Sequence, residues 1–192
     1  NGHSVPTGFD AERLVFLQVD VRDANGRLVM QSGDRDPNGD VRDTHSLYVH
    51  NGELPRDAQL FSLQSRFLVR MVRGGEREQV LALNYSPDPL PFLRPSTRST
   101  VLLGRPVGAR KHRLTIPPEQ SLWARYRVGQ DDLRGTSGPY TATIKLIAQM
   151  IPVNLVNEIQ GVGFDYWMSA REVAEAVVEG AQLLWEREVE IP

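Results

Sequence analysis

Leu14-Val15-Phe16-Leu17-Gln18-Val19-Asp20-Val21-Arg22-Asp23-Ala24-Asn25-Gly26-Arg27-Leu28-Val29-Met30-Gln31-Ser32 is the stretch that decides the fold class. Val15, Leu17, Val19 and Val21 fall on one side of an extended chain and Gln18, Asp20 and Arg22 on the other, with Phe16 the exception. Asn25-Gly26 supplies a hairpin turn, and Arg27 to Ser32 returns as the partner strand. A polar loop follows from Gly33 to about Asp43. The same pattern recurs downstream, where Arg66 to Val72 aligns Phe67, Val69 and Met71, turns at Gly74-Gly75 and returns over Gln79 to Tyr85. Val101 to Gly104, Lys111 to Ile116, Leu122 to Val128 and Tyr140 to Met150 also alternate as strands, separated by Pro117-Pro118 and by Gly135 to Pro139. Prolines at 87, 89, 91 and 95 make Ser86 to Pro95 an extended surface connection. Short strands with turn signals at this spacing predict an all-β fold, an antiparallel β-sandwich that is immunoglobulin-like or jelly-roll-like.

The C-terminal stretch departs from that pattern. Ser169 can cap a helix while Glu172 reaches back to it, and Val173, Val177 and Ala181 recur at helical spacing, so a helix is expected over about 169–180, ending at Gly180. Beyond it Trp185, Arg187, Val189 and Ile191 alternate with Glu186, Glu188 and Glu190, a last strand over about 183–191 with one acidic face. A shorter helix is expected from Pro152 to Gln160. With 192 residues and 40% hydrophobic content, the chain fills one core, so residues 1–192 are read as a single β-sandwich domain.

Charge and cysteine usage narrow the partners. The formal net charge of −2 gives no field to draw in nucleic acid, and Lys111 and Lys145 are the only lysines among the basic residues. The arginine skew suits a GC-rich genome and also bidentate pairing with carboxylates. The chain has no cysteine, so it holds no disulfide, no thiolate zinc site and no Cys-x-x-Cys-His haem attachment. No apolar run approaches the roughly 20 residues of a transmembrane span. A start at Asn1 without Met is read as a mature product or a fragment.

Two segments carry candidate chemistry. In Asn1-Gly2-His3-Ser4-Val5-Pro6-Thr7-Gly8-Phe9, His3 sits on a Gly- and Pro-bracketed segment ahead of a strand, where an imidazole is either a turn residue or a metal or haem ligand. Asp34-Arg35-Asp36-Pro37-Asn38-Gly39-Asp40 places Asp34, Asp36, Asn38 and Asp40 at alternate positions with Gly at the sixth, the spacing of a calcium loop. Asp-Pro-Asn-Gly is also ordinary turn chemistry, and His45 stands where an EF-hand has its bidentate glutamate. His45 and His50 do not form a chelating pair, since five residues of separation put them on opposite faces of a strand. His112 reads as a core-edge residue. Trp123, Trp167 and Trp185 could line a sugar platform or fill the core and its rim. No nucleophile with its base, no paired catalytic carboxylates and no phosphate loop is recognisable, so independent catalytic activity is not expected.

Gly2-His3-Ser4-Val5-Pro6-Thr7-Gly8-Phe9, the strand ending in Asp23-Ala24-Asn25-Gly26, Asn38-Gly39-Asp40-Val41-Arg42-Asp43, Leu60-Phe61-Ser62-Leu63-Gln64-Ser65 and Gly163-Phe164-Asp165-Tyr166-Trp167-Met168-Ser169 together resemble the C-terminal β-sandwich domain of secreted bacterial multihaem c-type cytochromes. The resemblance implies a periplasmic or extracellular accessory domain of an electron-transfer protein. It implies haem c held by another segment or chain, and His3 as a distal axial ligand; His45 is a lesser candidate to reach a haem edge. The partner would be that haem-bearing segment or subunit. Two other classes remain open: a calcium-stabilised carbohydrate-binding or adhesion module, and a purely structural assembly domain whose Glu186 to Glu190 strand pairs with a neighbour in an oligomer.

Overall fold

The computed structural model describes residues 3–6, 13–43, 46–64, 66–72, 76–81, 109–112, 114–161, 163 and 165–191. Leu14–Arg22 forms β1, which pairs antiparallel with β2 (Leu28–Ser32) on one edge and with β6 (Tyr140–Gln149) on the other. β7 (Gln182–Ile191) adds to the outside of β6, giving an open four-stranded sheet in the order β2-β1-β6-β7. A second antiparallel sheet runs in the order β4-β3-β5, with β3 at Arg66–Val72, β4 at Glu76–Leu81 and β5 at Ala109–His112.

Burial on both faces of β1 explains the exception at Phe16. Val19 and Val21 pack with Val29, Met30 and Ala142, and half-buried Leu17, Tyr126, Val128, Tyr140 and Ile144 close over them. Leu14 and Phe16 point the other way, into a second cluster with Val41, Leu60 and Ile147. Each fully buried side chain of this size stabilises the fold by about 1.5–3 kcal/mol. The pairs Val21↔Met30 and Arg22↔Leu28 leave Val29 as an extra residue. This bulge lets Val29 and Met30, adjacent in sequence, reach one core.

β2 leaves the edge of β1 at Gly33, and residues 61–63 take its place. Leu17 N donates to the Phe61 carbonyl at 3.1 Å and Leu63 N to that of Val15 at 2.8 Å. The crossover demands glycine: at Gly33, φ is +74°, and a Cβ would lie 2.2 Å from the Leu17 carbonyl oxygen. Asp57 fastens the same corner, accepting from Ser32 Oγ and Gly33 N, each at 2.8 Å.

Several expected strands differ in detail. The partner of β3 begins at Glu76 instead of Gln79, because Val72 already pairs with Glu76. Lys111 to Ile116 is not one strand: β5 ends at His112, and Ile116 forms an isolated bridge with Val5. Leu122 to Val128 is not a strand at all. Its alternation is real, with Tyr126 and Val128 facing the core, but its backbone is met by a side chain. The Gln59 amide donates to Arg127 O at 3.0 Å and accepts from Arg127 N at 2.6 Å, so no ladder is needed. Val101 to Gly104, Ser86 to Pro95 and the Gly74-Gly75 turn lie outside the described residues.

Among the described residues, three helices accompany the sheets: α1 (Leu47–His50), α2 (Val153–Gly161) and α3 (Ala170–Glu179). The four-residue α1, capped by Ser46, has no signal in the apolar periodicity. α3 carries the expected capping box, with Ser169 N and Oγ donating to the Glu172 carboxylate, each at 2.7 Å, and Glu172 N donating back to Ser169 Oγ. Among the described residues, no helix is long and apolar enough to cross a membrane.

Candidate functional site

The loop from Asp34 to Asp43 crosses the Leu14 and Phe16 face of β1, and Arg35 holds it there. The Arg35 guanidinium lies 5.5 Å from the centroid of the Phe16 ring and donates to Gly39 O at 2.6 Å and Gln149 Oε1 at 2.5 Å. Burial pulls its pKa down, and the carboxylates of Asp40 and then Asp36 act in the opposite direction.

The four oxygen-bearing residues proposed for calcium divide among different tasks. Asp34 takes both arms of Arg42, Nε and Nη2, at 2.8 Å each, and this pair raises the Arg42 pKa. Asp36 Oδ1 accepts from Asn38 N at 2.8 Å and Asp40 N at 3.1 Å, closing the Asp-Pro-Asn-Gly turn. Asp40 reaches α2: Oδ1 accepts from Val153 N at 2.7 Å and Oδ2 from Asn154 N at 2.8 Å. The helix that Pro152 announces is therefore capped from a distant loop. Asn38 lines the adjoining cavity.

That cavity, of about 960 Å³, lies between the loop and the three helices, with Asp36, Asn38, Leu47, Asn154, Asn157 and Arg171 in its wall. Three of the wall residues hold a buried acceptor without a hydrogen-bond partner: Asp36 Oδ2, Asn154 Oδ1 and Asn157 Oδ1. Asn154 and Asn157 stand three apart on α2 and so share a face. Asp36 and Asn154 are joined through Asp40, whose backbone N–H donates to Asp36 Oδ1 and whose Oδ2 accepts from Asn154 N. Sealed acceptors with no donor call for a water, an N–H donor or a hard cation. Sequence reading did not find Asn154 and Asn157, whose only signal is their shared face on a helix of otherwise ordinary composition. Among the described residues, no group of three or more His, Cys, Asp or Glu gathers where a metal could sit.

His3 lies apart from this cavity and is exposed to solvent. Two residues later the chain is clamped, with Val5 N donating to Ile116 O at 2.9 Å and Ile116 N to Val5 O at 2.8 Å. His45 lies outside the described residues, His50 is exposed at the end of α1, and His112 ends β5 opposite Arg66. Two of the three tryptophans stand clear of the core, Trp123 at 88% exposure and Trp167 at 91%. Trp167 also has φ of +58°, a backbone position costly for so bulky a residue.

No family model, curated protein or solved structure matches the chain.

Proposed function

We propose that this chain is an accessory β-sandwich domain of a periplasmic or extracellular multihaem cytochrome involved in electron transfer, in which the two antiparallel sheets pack face to face and His3 is offered to a haem iron. The observation that carries the reading is the clamp at Val5 and Ile116, which anchors the backbone two residues from an exposed imidazole. The chain has no cysteine, so thioether bonds to the porphyrin must come from another segment or chain. A lone, accessible imidazole fits that division: it completes an iron's coordination without holding the macrocycle. The haem, when bound, supplies the redox chemistry. The protein's share is to orient the ring and shield one haem face. The visible spectrum and total mass of the native protein test this. A Soret band, with mass beyond the chain's 21.6 kDa, and a low-spin signature altered by His3→Ala would support it. A colourless protein of the chain mass, or a spectrum indifferent to His3→Ala, overturns it.

A second reading, a calcium-stabilised carbohydrate-binding or adhesion module, is favoured by the exposed Trp123 and Trp167 together with the unpartnered oxygens of Asp36, Asn154 and Asn157. Backbone strain at an exposed aromatic is a mark of binding sites. Calcium-dependent retention on a glycan array, lost in Trp167→Ala, would support it.

A further inference from the structure

β7 is the last strand of its sheet, and all ten of its residues are exposed. Among the described residues, no backbone hydrogen bond reaches its outer edge. The register with β6 sorts its side chains by chemistry. Glu186, Glu188 and Glu190 stand opposite Lys145, Thr143 and Thr141 on one face, while Trp185, Arg187, Val189 and Ile191 stand opposite Leu146, Ile144, Ala142 and Tyr140 on the other. On the apolar face Trp185, Val189 and Ile191 are 47%, 37% and 40% exposed. On the acidic face Lys145 answers one glutamate, with Nζ 3.3 Å from Glu186 Oε1. Three carboxylates against one ammonium leave a net negative row along the rim.

Such an edge is a template for strand addition, and its charges decide what can add. A second copy is a poor occupant. Antiparallel pairing about a two-fold axis keeps each residue on its own face, so any register that lays Trp185 to Ile191 on itself brings glutamate beside glutamate; parallel in-register pairing does the same. The row that repels a copy attracts an opposite pattern. We infer that the outer edge of β7 is a docking site for an extended segment of another protein that alternates basic with apolar residues, its Lys or Arg beside Glu186, Glu188 and Glu190 and its apolar side chains beside Trp185, Val189 and Ile191. Main-chain hydrogen bonds give the grip, and the glutamates set the choice.

The test uses the whole chain and a seven-residue peptide alternating Lys with Val, compared by calorimetry with a Glu-Val peptide and with a Lys-Val peptide N-methylated on alternate residues. The Lys-Val peptide is expected to bind at least tenfold more tightly than either, and the triple variant Glu186→Lys, Glu188→Lys, Glu190→Lys, its fold checked by circular dichroism, should reverse the charge preference. Exchange protection of β7 amides by the peptide would place the contact. Equal binding of the Lys-Val and Glu-Val peptides, undiminished binding after N-methylation, or a native dimer that the triple variant alters would each overturn the proposal.

Discussion

The Asp40 carboxylate accepts the backbone N–H of Val153 at 2.7 Å across 113 residues of sequence, and its other oxygen takes that of Asn154. Asp40 is 1% exposed, so Asp40→Ala would strand two buried donors at the start of α2. The expected loss is about 2–6 kcal/mol, since each unsatisfied buried group costs about 1–3 kcal/mol. Asp40→Asn keeps one acceptor and loses the charge favoured at a helix N-terminus, and should cost about half as much. Urea unfolding measures both. A loss under about 0.5 kcal/mol for the alanine variant would show that this cap contributes nothing.

Gly33 and Gly26 form a matched comparison. Both have positive φ, +74° and +78°, but a Cβ at Gly26 meets nothing within 4 Å, whereas at Gly33 it meets the Leu17 backbone at 2.2 Å. Gly26→Ala should therefore show only the cost of left-handed backbone, about 1–2 kcal/mol. Gly33→Ala must also separate residues 33 and 17, breaking the corner that Asp57 fastens, and should cost at least about 2 kcal/mol more, within the range of severe single substitutions. Equal melting temperatures for the two variants would contradict this account.

These corners show where the sequence could be read and where it could not. β1, β2, β6, β7 and α3 are visible because their order is local: alternation, an Asn-Gly turn and a capping box each lie within a few residues. The misassigned strand at Leu122 to Val128 has the right alternation but the wrong neighbour, since Gln59, 68 residues away from Arg127, meets its backbone. The Asp34 loop was legible as a cluster of oxygens. Which oxygen does what was not, because the partners Arg42, Val153 and Asn154 are chosen by tertiary contact. Asn157 was invisible for the same reason. Alternation also separates the Glu186 row from the Trp185 row, but only the strand order reveals that this strand is an edge.

Tyr126 supplies a pH prediction. Its hydroxyl is buried without a hydrogen-bond partner. Burial, reinforced by the Asp57 charge, pushes its pKa up from 10.0 to about 12. The Phe61 backbone favours the phenolate slightly without forming a bond of good geometry. A raised folded-state pKa means that this contribution is complete below pH 10 and is lost as pH rises through about 12. Spectrophotometric titration of tyrosinate should show a late group that Tyr126→Phe removes. Because no hydrogen bond is given up, Tyr126→Phe should leave stability at neutral pH unchanged or raise it by up to about 1 kcal/mol. A loss above that size would mean that the hydroxyl has a partner in solution.

The unpartnered oxygens of Asp36, Asn154 and Asn157 separate water from a hard cation by experiment. If calcium binds at these oxygens, metal-stripped protein titrated with it should gain stability as the logarithm of concentration, by about 2.7 kcal/mol at a hundred times the dissociation constant. Only one of the three oxygens is a carboxylate, so affinity should be weak, in the range of about 0.1–1 mM typical of extracellular calcium modules. Asp36→Asn removes the charge while keeping an oxygen, and should abolish most of the calcium response with little change in the metal-free melting temperature. Asn157→Ala deletes one neutral ligand and should weaken the response several-fold. Asp34→Asn serves as a control, because the Asp34 carboxylate is fully engaged by Arg42 and should leave the calcium dependence intact. A melting temperature indifferent to calcium in the unmodified protein would remove the calcium-stabilised reading.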